Sequence, residues 1–216
     1  MKHKHTHYIY ASFAFLLFVA LGYMVKFYPE ALTGFDSNIQ TWVRGDLPAG
    51  LTRFFKTITT LGNTSVQAVI AILAVIWLYL RQYKAEAIFV GTSGVLASIM
   101  IMSLKYIYQR PRPSITHLVH AGGYSFPSGH SLGTFMILGA IAIVLTQRLV
   151  KKAAKTAVYG ITGLLIFLVG LSRIYVGVHY PTDVLAGFTL AFALLNAIYP
   201  TYDRIRFEWR FQSKQK

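Results

Sequence analysis

The chain has 216 residues, no cysteine and a formal net charge of +14 at pH 7. With 55% hydrophobic and only 13% charged residues, the apolar ones in long runs, the composition argues against a water-soluble domain, and the missing cysteines exclude disulfides and thiolate metal sites. The basic balance would suit nucleic acid or an anionic membrane surface, but Lys and Arg fall between hydrophobic runs rather than in one basic domain, so membrane topology accounts for them and no nucleic-acid partner is expected.

A hydrocarbon core about 30 Å thick is crossed by a helix of roughly 20 apolar residues. The opening stretch from Met1 to His7 reads as a basic cytoplasmic tail rather than an adventitious metal site. A first membrane helix follows, about Tyr8 to Lys26. Lys2 and Lys4 ahead of an apolar run also suit a signal peptide, but no clear small-x-small cleavage site follows, which favours an anchor. The next stretch, 27–64, is too long for a tight connector. Its Ile39, Trp42, Val43, Leu51, Phe54, Phe55 and Ile58 recur at spacings of about three and four, which fits short helices in the membrane interface; a packed extracellular loop is the competing reading. Further membrane helices are expected at about Ser65–Leu80 (somewhat short), Ala85–Tyr106, Gly129–Thr146, Thr156–Leu171 and Pro181–Tyr199. The expected fold is therefore all-α: one polytopic membrane domain over 1–216, with six transmembrane helices and short interfacial helices in the first outward loop.

Orientation follows from Lys and Arg in short loops. One side carries Lys2, Lys4, Arg81, Lys84, Arg148, Lys151, Lys152, Lys155, Arg204, Arg206, Arg210, Lys214 and Lys216. The other carries Lys26, Arg44, Arg53, Lys56, Lys105, Arg110, Arg112 and Arg173. The first set is larger, so both termini are expected to be cytoplasmic and 27–64, 107–128 and 172–180 to face outward.

Three clusters fall on that outward side. The first is Lys105 with Arg112-Pro113. Lys105 alone is compatible with a snorkelling interfacial side chain, and Arg110 and Arg112 with flanking charges, but Pro111 and Pro113 stiffen the segment and would hold Arg112 in a fixed pose. The second is Pro127-Ser128-Gly129-His130 at the start of an apolar helix. Ser caps helices well, Gly admits a ligand to the backbone, and a helix N-terminus presents free N–H groups to phosphate. A plain capped helix would explain Ser128 and Gly129 but leaves His130, a titratable group, beside the anion site. The third is Ser172-Arg173, His179 and Asp183. Pro181 suits a first helical turn, which brings Asp183 within reach of His179. A carboxylate on one imidazole nitrogen fixes the tautomer and leaves the other nitrogen nucleophilic. Complementing the helix dipole would account for Asp183 alone.

Together these clusters resemble the type-2 phosphatidic acid phosphatase superfamily, whose pattern is Lys-x6-Arg-Pro, Pro-Ser-Gly-His and Ser-Arg-x5-His-x3-Asp. Every specified position is matched, in order and spacing, over 105–183. The chain is most similar to the small bacterial members of phosphatidylglycerophosphatase B type. The resemblance implies a six-helix bundle with an outward active site, no required metal or other cofactor, and a phosphorylated lipid as substrate. It implies that His179 attacks phosphorus and forms a phosphohistidine, that Asp183 orients it, and that His130 protonates the leaving oxygen and then activates water. Lys105, Arg112 and Arg173, with Ser128, Gly129 and the N–H of His130, would hold the phosphate. Phosphatidylglycerol phosphate and phosphatidic acid are candidate substrates, and recycling of an undecaprenyl diphosphate carrier is the alternative. A non-enzymatic lipid transporter would favour broken helices or inverted repeats, and neither is visible. Histidine ligation of a metal or haem is disfavoured by the surrounding cations.

Overall fold

A computed structural model describes residues 4–215, leaving Met1, Lys2, His3 and Lys216 outside the described residues. The chain forms eight helices among them: α1 (Lys4–Phe27), α2 (Pro29–Arg44), α3 (Ala49–Thr60), α4 (Thr64–Leu80), α5 (Lys84–Tyr108), α6 (Gly129–Thr146), α7 (Lys152–Tyr175) and α8 (Pro181–Phe211). Five of them (α1, α5, α6, α7 and α8) are each long and apolar enough to cross a membrane, and α4 joins them as a sixth span when taken with α3 across a 49° bend. At 17 residues α4 is short, near the lower limit of about 17 for a bilayer core. The all-α, multi-pass architecture expected from the apolar runs is the one observed.

α6 is the central helix. Its apolar window is 56% buried, against 17% for α1, and it packs on α4, α5, α7 and α8. α1 instead lies along α8 and exposes Phe13, Leu16 and Leu17. Exposed apolar side chains also cover the outer faces of α4, α5 and α7, including Leu73, Met102 and Ile161. Such a surface is suited to lipid, against which it has no reason to be polar. Inside, Phe18, Phe126, Leu132, Met136 and Leu190 form one core with α5 residues such as Val90.

The limits of α7 and α8 differ from the sequence expectation, whereas 27–64 forms the expected short helices, α2 and α3, laid over the ends of α7 and α8 that carry Arg173 and Asp183. Trp42 is 83% exposed there, whereas Phe55 is buried against Tyr175 with ring centroids 4.5 Å apart, so one face of these helices packs and the other is free. α7 begins at Lys152 and runs to Tyr175, which makes Ser172 and Arg173 helical rather than part of the loop. Nothing stops the helix until Gly177, whose φ of +81° suits a residue without Cβ. α8 continues beyond Tyr199 through Pro200 to Phe211. The cost of an internal proline is offset by contacts of the extension. Tyr202 stacks on Phe89 at 4.1 Å and donates to Gln147 Oε1 at 2.6 Å, and the Ala85 N–H donates to Gln215 Oε1 at 2.8 Å. Buried Glu86 pairs with Arg148 at 3.1 Å and Arg210 at 3.3 Å.

The charge clusters separate by end. Glu86, Arg148 and Arg210 lie at one end of the bundle, and Lys26 lies at the other, where its Nζ donates to the carbonyls of Ile107 and Tyr108. The start of α6 is set against α8 by a close approach: a Cβ on Gly187 would meet Ser128 O at 3.0 Å, Ser131 Cβ at 3.0 Å and Leu132 N at 3.2 Å. Gly187→Leu should therefore overpack this crossing and destabilise the protein by about 1–3 kcal/mol. Thermal unfolding in detergent checks this, and an unchanged midpoint would show that α6 and α8 can separate without cost.

Candidate active site

The chain turns between α7 and α8 within Val176–Tyr180, and this turn holds His179. Pro181 begins α8 and places Asp183 in its first turn. Asp183 is fully buried and His179 is 2% exposed, so the pair meets away from bulk water. His179 Nδ1 lies 3.3 Å from Asp183 Oδ2, which also accepts the Tyr180 N–H at 2.9 Å. Arg112 Nη1 lies 3.3 Å from His179 Nε2. An ionised carboxylate only accepts and a guanidinium only donates. The two partners therefore require the same tautomer, with the proton on Nδ1 and the lone pair on Nε2. Burial is the main force lowering the His179 pKa, to about 4; Asp183 opposes it, and Arg173 and Arg112 reinforce it. The imidazole is consequently neutral at neutral pH.

Three cations from separate elements line the same cavity as this ring. Lys105 comes from the last turn of α5, Arg112 from the segment 109–128 and Arg173 from the last turn of α7. Backbone carbonyls steer the first two. Lys105 Nζ donates to Tyr124 O at 2.8 Å, while Arg112 donates to Gly122 O at 2.8 Å, Gly123 O at 3.1 Å and Val178 O at 2.7 Å. Arg173 Nη1 donates to Thr59 Oγ1 at 2.6 Å, and its Nε is buried without a partner. Burial and the like charges of its neighbours are favourable only if an anion joins them.

His130 enters from the first turn of α6, its Nε2 3.1 Å from Asn63 Oδ1. Its ring lies where a Cβ on Gly62 would be, so the break between α3 and α4 has to be glycine at that point. Gln67 donates to Thr134 Oγ1 at 2.8 Å and Gly62 O at 3.0 Å, tying α4 to the break and to α6. Ser128 caps α6 by accepting from the Ser131 N–H and from Ser131 Oγ at 2.9 Å.

A cavity of about 730 Å³ joins these groups. Lys105, Arg112, Gly129, His130, Arg173 and His179 line it, whereas Ser128 and Asp183 stand behind the wall. Below the polar end the cavity continues between α4 and α5, past Ala71, Ile72, Val75, Val95, Ile99 and Met102. Among the described residues no group of three or more His, Asp or Glu is placed to hold a metal ion. The arrangement is suited to an anion carried on an apolar tail, with a neutral imidazole nitrogen facing it.

Several polar partners of the site lie outside the motif positions. Arg110 contacts Asp183 Oδ1 at 2.7 Å and Asp36 Oδ2 at 2.8 Å. Gln40 donates to His179 O at 3.3 Å. Thr59 and Asn63 hold Arg173 and His130 as described. Arg110 is visible in the sequence next to Arg112 but looks like one more flanking charge. Asp36 has a weaker signal, an acid in the amphipathic 27–64 segment, and nothing local marks Thr59 or Asn63.

The PAP2 superfamily signature matches residues 86–207, more than half of the chain. Phosphatidylglycerophosphatase B of Bacillus subtilis (strain 168) is 38% identical over 125 residues, covering 57% of this chain and 58% of that protein. Undecaprenyl-diphosphatase BcrC of the same strain is 32% identical over 133 residues, covering 59% of this chain and 64% of that protein. These matches thus span less than two thirds of each relative. Among solved structures, a transmembrane PAP2 type phosphatidylglycerolphosphate phosphatase from Bacillus subtilis superposes with a TM-score of 0.83 at 28% identity, over 90% of this chain and 96% of that one.

The buried, neutral His179 should show itself in titration. In protein labelled at the histidine rings, with the resonance assigned by its loss in His179→Ala, His179 should gain its proton only as pH falls toward about 4. A midpoint at or above 6.5, the ordinary histidine value, would mean that Asp183 rather than burial governs the ring.

Proposed function

The chain belongs to the PAP2 superfamily, and from that premise we propose that it is an integral-membrane phosphatase that hydrolyses a phosphate monoester or diphosphate of a lipid. The carrying observation is the lone pair of His179 Nε2, facing a cation-lined cavity that continues as an apolar cleft between α4 and α5. The polar end would take the phosphate, and the cleft an acyl or prenyl chain. Ile72, Val95, Ile99 and Met102 of its walls are all more than half exposed, which suits a tail entering sideways from the membrane.

In this mechanism Lys105, Arg112 and Arg173 bind the phosphate oxygens, helped by the backbone N–H groups of Gly129 and His130 at the start of α6. Ser128 supports that helix terminus as its cap. His179 Nε2 attacks phosphorus in line; the P–N bond forms as the P–O bond to the lipid breaks. His130 gives its proton to the departing oxygen, which leaves as the lipid alcohol or, from a diphosphate, as the lipid monophosphate. Asp183 holds Nδ1–H and stabilises the positive charge that the ring acquires. His130 then removes a proton from water, which attacks the phosphohistidine, and inorganic phosphate departs. Phosphate monoesters hydrolyse so slowly unaided that accelerations up to about 10²¹-fold are known. Fixed cations aimed at the transferring group supply charge stabilisation without metal, and splitting the reaction lowers each barrier.

The larger basic set on the inner loops supports a plasma-membrane protein with both termini cytoplasmic and the active site facing outward. Phosphatidylglycerol phosphate and phosphatidic acid are the favoured substrates; an undecaprenyl diphosphate is the alternative within the same chemistry.

One experiment addresses reaction, metal and sidedness together. The protein is placed in sealed vesicles, and in those active on external substrate its C-terminus should be protected from external protease. Externally added phosphatidylglycerol phosphate, phosphatidic acid and polyprenyl diphosphate should release phosphate with a chelator present, each to its own extent. No release from any of them would overturn the enzyme reading. Release only when the chelator is omitted would overturn the metal-free mechanism, and active vesicles with a cleavable C-terminus would reverse the orientation.

A further inference from the structure

α2 lies outside the three motifs, yet one of its faces is built against the nucleophile turn. Asp36, Gln40 and Arg44 follow each other at intervals of four, and residues so spaced lie along one side of a helix. Each reaches a different part of the segment that carries His179. Arg44 Nη1 donates to Tyr175 O at 3.1 Å, Gln40 to His179 O at 3.3 Å, and Asp36 Oδ1 accepts the Thr182 N–H at 2.9 Å. Asp36 also accepts from Thr182 Oγ1 at 2.8 Å. The helix thus grips the turn before, at and after the nucleophile.

Asp36 has a second partner that links it to the chemistry. The Arg110 guanidinium stands between two carboxylates, with Nη2 on Asp36 Oδ2 at 2.8 Å and Nη1 on Asp183 Oδ1 at 2.7 Å. Nη1 also donates to Thr182 Oγ1, and the group stacks on the Tyr180 ring at 3.9 Å. Asp36 and Asp183 are 2% and 0% exposed, so water does little to screen this array. A buried guanidinium paired with Asp183 alone would neutralise the carboxylate that has to support the charged ring of His179. A second carboxylate on the same guanidinium removes that conflict: Arg110 can fix the position of Asp183 while Asp183 keeps net negative character toward His179.

The geometry points to Asp36 and Arg110 as positioning residues for the nucleophile: Asp36 balances the charge of Arg110, and Arg110 holds Asp183 against His179 Nδ1. Neither lines the cavity where the phosphate sits. This rests on the phosphatase reading above. The charged and titratable groups around His179 are Asp183 of α8, Arg173 of α7, Arg112 of the segment 109–128, His130 of α6 and Lys105 of α5. Changes at Asp36 or Arg110 reach the ring through Asp183.

The test is a steady-state and pH-rate comparison of wild type, Asp36→Asn, Arg110→Gln, the double variant and Asp36→Glu, with phosphatidic acid as the probe. Each neutral single variant should lose roughly 10- to 100-fold in kcat, as for a misplaced reacting group, with KM little changed because neither residue meets the phosphate. Asp36→Asn leaves Arg110 to neutralise Asp183 and should move the acid limb of kcat to lower pH; Arg110→Gln should move it higher. The double variant leaves no unpaired charge and should be no worse than the poorer single, since coupled residues are not additive. Asp36→Glu should recover part of the loss. Wild-type kcat and acid limb in Asp36→Asn, a rise in KM alone, or fully additive losses would overturn the inference. A wild type that releases no phosphate from phosphatidic acid, phosphatidylglycerol phosphate or a polyprenyl diphosphate would instead overturn the phosphatase reading, and this inference with it.

Discussion

The contact between His179 Nδ1 and Asp183 Oδ2 is the constraint on which the site depends. It holds the proton on one nitrogen and leaves the lone pair on the other, which Arg112 Nη1 approaches at 3.3 Å, and both side chains are buried. Burial alone disfavours a charged Asp183. That cost is met by contacts with the Tyr180 N–H, His179 Nδ1 and Arg110 Nη1. The pairing also has a folding component. Pro181 and the first turn of α8 put Asp183 four residues after His179, so the local chain, not a distant helix, brings the carboxylate to the ring. More distant elements then decide how firmly that turn is held.

Charge explains the architecture around the contact. Lys105, Arg112 and Arg173 repel one another, and no single element carries all three. They arrive from α5, the segment 109–128 and α7, each held by neutral carbonyls or a hydroxyl: Tyr124 O for Lys105, Gly122 O and Val178 O for Arg112, Thr59 Oγ1 for Arg173. Neutral partners fix their direction without cancelling their charge. A dianionic phosphate, as proposed, would meet an electrostatic field already in place, which is where preorganised sites derive most of their effect. The apolar cleft below has the opposite character, so a ligand with a charged head and a hydrocarbon tail matches both parts.

Much of this was legible in the sequence because the constraints are local. A long apolar run has few alternatives to a spanning helix, and Ser128-Gly129 or Pro181 with Asp183 are helix-start signals that read directly as structure. What was missed depends on contacts between residues far apart in the chain. Arg110 looks like a flanking charge until α2 and α8 place Asp36 and Asp183 on either side of it. Asn63 and Thr59 are ordinary polar residues until the break between α3 and α4 turns them toward His130 and Arg173. The apolar run of α8 gives out near Tyr199 and Pro200 disfavours a helix, so the extension to Phe211 rests on the packing of Tyr202 on Phe89 and the anchoring of Gln215, which the sequence does not display. Ser128, expected among the phosphate-binding groups, also accepts from Ser131 in the cap of α6, a role its position beside Gly129 suits.

The proposed mechanism centres on a covalent bond between phosphorus and His179. Brief exposure of the protein to a lipid substrate labelled in the terminal phosphate, followed by denaturation at alkaline pH where phosphohistidine survives, should leave one labelled peptide containing His179. The label should be absent from His179→Ala and should accumulate in a His130 variant unable to activate water. Label on His130, or on any other residue of the wild type, would contradict the assignment of His179 as the nucleophile.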